Sequence, residues 1–182
     1  MGAAVGDPRD ATLRVELLED RGVLTLERLE RLLLTVGGLD RLERDDVYAD
    51  TPTWTFAGSS YTSDVLAFEA VETADREQKP LEPLEGDNAA IFQKFNPEGG
   101  IPWITYGGTH ATNGATVDAN VFEGKTYDEI IAGIEDPSSD IGKSVNPAMT
   151  MITAQLCQLT GGKPTNVCTS QAVLTASVLL KR

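Results

Sequence analysis

An α/β domain with a mixed sheet and flanking helices is the fold class this sequence predicts, on three observations. Short runs rich in β-branched and aromatic residues occur at Thr53–Ala57 and Val65–Val71. Another run, Pro102–Tyr106, opens on a proline that cannot donate to a sheet ladder. The last third then changes to helical spacing with capping signals. With 182 residues the chain suits one domain, expected over residues 13–182 behind a disordered, small and polar stretch at residues 1–12.

Taken in order, Leu13, Val15 and Leu17 alternate with Arg14 and Glu16, a pattern for a fair edge strand and a poor central one. Leu24, Leu26, Leu29, Leu32, Leu33 and Val36 then recur on one helical face, and Gly37-Gly38 supplies a stop. Glu27, Arg28, Glu30 and Arg31 form the solvated opposite face. Every lysine and every aromatic residue lies beyond residue 46. After the strand Thr53–Ala57, Gly58-Ser59-Ser60 is a turn, and Asp75–Glu85 is a charged, proline-broken loop. Residues Asn88–Phe95 suit a short helix capped by Asp87 or Asn88. Pro102–Tyr106 and Thr109–Ala115 form a hairpin around Gly107-Gly108.

Thr126 and Glu129 have the spacing of a capping box, ahead of an apolar face made by Ile130, Ile131 and Ile134. A further helix starts near Ser138 or Ser139 and ends at Gly161-Gly162, with Pro147 either kinking it or marking a new start. A short helix over Thr169–Leu180 closes the chain.

The formal net charge is −13, which argues against nucleic acid or anionic lipid as a partner and otherwise serves solubility. No apolar run approaches the roughly 20 residues of a membrane span. Asp7, Asp10, Glu16, Glu19 and Asp20 interrupt any secretory signal, so the chain as written is expected in the cytoplasm.

The two cysteines, Cys157 and Cys168, pull the other way. They bracket Gly161-Gly162-Lys163-Pro164, a turn that folds one segment back on another. The expected reading is a structural disulfide, which suits an oxidising compartment; the alternative is two buried free thiols. No metal site or cofactor is expected, because His110 is the sole histidine and a closed zinc site needs four ligands. Gly107-Gly108 lacks the rest of a nucleotide-binding motif, and the scattered Asp45, Asp46, Asp50 and Asp64 fit no calcium loop. No catalytic constellation is present. Trp54 and Trp103 are expected as core or groove aromatics.

From roughly Thr51 to Cys168 the chain resembles an uncharacterised thioredoxin-like domain family of archaea and actinobacteria. The resemblance rests on Pro52-Thr-Trp-Thr-Phe56, Gly58-Ser-Ser-Tyr-Thr-Ser63 and Gly100-Ile-Pro-Trp-Ile104. It continues through Val121-Phe-Glu-Gly-Lys-Thr-Tyr-Asp-Glu-Ile130, Asp136-Pro-Ser-Ser139 and Thr153-Ala-Gln-Leu-Cys-Gln-Leu-Thr-Gly161, then Pro164 and Val167-Cys168. It implies a thioredoxin-like fold, an exported or membrane-anchored location in many members, and a Cys-x-x-Cys that opens a helix after an N-terminal strand. That helix corresponds to Leu26–Leu39, and the cysteine pair would fall within Arg21–Arg28, where no cysteine occurs.

Thiol–disulfide exchange needs a thiolate, so catalysis through the usual site is excluded here. The resemblance also implies a cis peptide bond at Pro102, facing the place of the cysteines. It would leave the Ile101 backbone free to pair with an extended peptide or protein partner. Ile101, Pro102 and Trp103 are therefore the candidate groove.

The missing cysteines and missing anchor share one explanation: an N-terminal segment altered by a wrong start, a frameshift or a truncated gene. The chain would then be a fragment or mis-framed form of an extracytoplasmic thiol–disulfide oxidoreductase. The competing expectation is a degenerate, non-catalytic paralogue.

Overall fold

The apolar run Leu66-Ala67-Phe68 with Val71, and the β-rich run Trp103–Tyr106, supply the strands around which the chain is organised. The structure, a computed structural model, describes residues 11–17, 39–40, 51, 53–54, 63, 66–75 and 79–180. In chain order these hold β1 (Ala11–Leu17), β2 (Leu39–Asp40), β3 (Thr53–Trp54), β4 (Leu66–Glu72), α1 (Gly86–Phe95), β5 (Trp103–Tyr106) and β6 (His110–Asn113). A 3₁₀ turn at Ala119–Phe122 precedes α2 (Tyr127–Glu135), α3 (Asp140–Leu159), α4 (Thr165–Cys168) and α5 (Gln171–Leu179). The domain is mixed helix and strand. The leucine-rich helix expected over residues 24–36 and the turn at residues 58–60 lie outside the described residues.

Four strands form one sheet in the order β4-β1-β5-β6, while β2 and β3 pair separately. β1 runs antiparallel to β4 and parallel to β5, with Leu17 opposite Leu66 and Thr12 opposite Trp103. The strand expected at an edge therefore pairs on both sides. β5 and β6 are a hairpin, Ile104 opposite Thr112, turned through Gly107 and Gly108 at φ +58° and +66°. Such angles suit glycine, which has no Cβ to clash there.

The helices start where local chemistry satisfies their free N–H groups. Thr126 Oγ1 accepts from the Glu129 N–H while Glu129 reaches back to the Thr126 N–H, completing the expected box. The same bonds hold the Glu129 carboxyl below its usual range. Ser139 caps α3, accepting from the Gly142 N–H at 2.8 Å and donating to the Gly133 carbonyl at 2.6 Å. α1 departs from expectation: its cap is Glu85, and Asn88 donates instead to Glu69 of β4 at 3.0 Å. Pro147 lies exposed inside the 20-residue α3, which continues past it to Leu159.

α3 is the central helix, with two apolar faces. Ile152, Leu156 and Leu159 meet Leu66, Phe68, Ile104 and Tyr106 from the sheet. Met151, Ala154 and Cys157 meet Cys168, Val173 and Ala176 from the two helices that follow. Tyr106 is 1% exposed, and its hydroxyl has no hydrogen-bond partner among the described residues. Burial pushes its pKa up; the Thr112 hydroxyl offsets part of that rise without reaching full hydrogen-bond geometry.

A buried hydroxyl without a partner costs stability. Tyr106→Phe is thus expected to leave stability unchanged or raise it by about 1 kcal/mol in urea unfolding, because only the unpaired group is removed. A clear loss would mean that the hydroxyl has a partner.

Candidate functional site

β5 begins at a tight corner whose polar groups are almost all accounted for. After α1, Asn96 is 4% exposed and acts as a clamp. Its Nδ2 donates to the Gly100 carbonyl at 2.6 Å, and its Oδ1 accepts from Asn113 Nδ2 at 3.2 Å. The Gly99 N–H donates to the Asn96 carbonyl at 2.9 Å, and the Gly114 N–H donates to the Pro102 carbonyl at 2.8 Å. A Cβ on Gly100 would lie 2.8 Å from the Asn113 side-chain amide and displace it from its bond to Asn96. The loop from α1 and the end of β6 are thereby pinned to each other on either side of Ile101.

Ile101 is buried, and the Ile101–Pro102 peptide bond is cis. Trp103 is 2% exposed and stands edge-on to Phe92 of α1, ring centroids 5.3 Å apart at 89°. Between these anchors the Ile101 N–H and C=O have no hydrogen-bond partner among the described residues. Backbone groups in a nearly buried residue normally find one. The segment therefore offers one donor and one acceptor on a rigid support.

The candidate residues Ile101, Pro102 and Trp103 are contiguous at the N-terminal end of β5. Because β1 is parallel to β5, the chain leaves β1 at the Tyr106 end of the sheet. From Thr12 to Leu17 is about 16 Å at a strand's rise per residue. The C-terminal end of β1 thus lies at the end of the sheet opposite Pro102; residues 21–28, where the family resemblance would put a cysteine pair, lie outside the described residues.

Cys157 and Cys168 are joined by a disulfide, their Cα atoms 5.6 Å apart, and link the end of α3 to α4. Among the described residues there is no free cysteine and no group of three or more potential metal ligands. His110 is exposed on β6, its Nδ1 3.0 Å from the Thr109 hydroxyl. Trp54 belongs to β3, while Asp45, Asp46, Asp50 and Asp64 lie outside the described residues.

An open cleft of about 740 Å³ lies between the 3₁₀ turn, α2 and the start of α3. Of its polar lining, Glu129 and Ser139 are already engaged in capping. No described helix is long and apolar enough to cross a membrane.

The Asn96–Asn113 clamp was not legible in the sequence. Its members are 17 residues apart, and the local signals, Asn96 before Pro97 and Asn113 before Gly114, announce turns only. No protein-family model, curated protein or solved structure matches the chain.

Proposed function

We propose that this chain is a thioredoxin-like domain without redox catalysis, which binds an extended peptide or protein segment at Ile101–Trp103. The observation that carries the reading is the Ile101 backbone, which has no hydrogen-bond partner among the described residues and is held between the Asn96 clamp and the Gly114–Pro102 bond. β5 lies between β1 and β6, so an extended segment would reach these groups from beyond the strand's N-terminal end and complete both hydrogen bonds there. The cis bond at Pro102 and the strand that follows it agree with the family resemblance, whereas the direction of β1 and the missing cysteines depart from it.

The remaining disulfide supports a setting in an oxidising compartment. It does not supply an exchange site, because both cysteines are buried and joined at the far end of α3.

Calorimetric titration with a reduced, carboxymethylated unfolded chain tests the proposal. Two backbone hydrogen bonds and a small groove correspond to a dissociation constant of about 0.1–1 mM. Asn96→Ala, with its fold checked by circular dichroism, should weaken binding by about tenfold, since it releases the loop. Insulin reduction should stay at the uncatalysed rate. Absence of binding at millimolar concentration, or catalysed reduction, would overturn the reading.

A further inference from the structure

Among the described residues, α4 and α5 pack chiefly against α3 and each other. α5 has nine residues, and isolated helices shorter than about 12–15 residues are marginal in water. Its buried residues, Val173 and Ala176, belong to a cluster with Ala154, Cys157 and Cys168, to which no sheet residue contributes among the described residues. α5 buries Val173 and Ala176 there, and Leu180 just beyond its end packs against the same cluster. Its other face is apolar as well, with Leu174, Val178 and Leu179 exposed. The disulfide lies inside this satellite cluster and apart from the sheet core built on Leu66, Tyr106 and Leu156.

We propose that the Cys157–Cys168 disulfide is a redox latch that holds α4 and α5 against α3, and that its reduction frees this unit while the sheet stays folded. The chemistry is two-electron exchange with a dithiol. A reductant thiolate attacks one cysteine sulfur, the other cysteine leaves as a thiolate, and the second reductant thiol closes the mixed disulfide. The protein gains two thiols, and the reductant becomes a cyclic disulfide. Opening the latch uncovers Ala154 and Met151 on α3 together with Val173 and Ala176, adding to the apolar surface already present on α5. The turn between the cysteines keeps its own bonds, Gly162 N–H to the Cys157 carbonyl at 2.7 Å and Lys163 N–H to Thr160 Oγ1 at 3.2 Å. The hinge is therefore defined.

Amide hydrogen exchange of the full chain, oxidised and then held in dithiothreitol, tests the latch. Closing a loop this short shifts the local opening equilibrium by at most about 100-fold, the limit for a loop with no other constraint. Amides of residues 165–179 should exchange faster by about 10- to 100-fold on reduction, while those of α2 and β5 keep their protection. A Cys168→Ser variant should show the fast pattern with or without reductant. Unchanged exchange at residues 165–179, or an equal loss of protection across α2 and β5, would overturn the proposal. This outcome is independent of peptide binding at Ile101.

Discussion

Trp103→Ala is expected to destabilise the domain by about 3–5 kcal/mol, the range for truncating a large buried aromatic. The ring is 2% exposed and fills the space between β5 and α1, edge-on to Phe92. Its removal deletes buried area and leaves a cavity that neighbouring strands, fixed by their ladder bonds, cannot close. Trp103→Phe should recover much of the loss, because a smaller ring keeps the contact with Phe92. Urea unfolding followed by circular dichroism measures both, and a loss below about 1 kcal/mol for the alanine variant would show that the site collapses freely. The same residue follows Ile101 and Pro102 directly, so the packing of α1 and the geometry of the candidate groove are coupled.

The second large effect is expected from Gly142→Ala, and two opposed terms decide its sign. Alanine inside a helix is favoured over glycine by about 1 kcal/mol. Against this, a Cβ on Gly142 would overlap the Asp136 carbonyl oxygen and lie 2.9 Å from the Gly133 carbonyl oxygen. These are backbone atoms at the corner where α2 meets α3, and they cannot rotate away. Ile141 closes the same corner from the other side, against Gly133. Overpacking costs about 1–3 kcal/mol, and more where rigid backbone must shift, so after the propensity gain is subtracted a net loss of about 1–2 kcal/mol or more is expected in thermal or urea unfolding. Stabilisation by the propensity term would contradict this description of the corner.

What could be read in advance follows the range of the forces involved. The Thr126–Glu129 box and the Ser139 cap were legible because each is made within four residues. The strand at Pro102 was legible from a proline followed by β-formers, and the disulfide from a turn between two cysteines. α1 begins earlier than its sequence suggests, because Asn88 is engaged by Glu69, a partner 19 residues away. The 3₁₀ turn Ala119–Phe122 and α4 were not anticipated; with four residues each they show no periodicity. Nor does alternation in β1 reveal that it pairs on both sides, since pairing is a property of the whole sheet. At the candidate site the apolar residues were visible in the sequence, and the asparagine clamp that positions them was not.

The central claim is that the Ile101 backbone pairs with an extended chain. Its most direct test is an amide-resolved NMR titration of the isotopically labelled protein with the carboxymethylated unfolded probe. The account predicts saturable shifts at the Ile101 amide and at Gly100 and Trp103, with α5 unaffected. Saturable shifts that leave residues 100–103 untouched, or no shifts at millimolar probe, would contradict it.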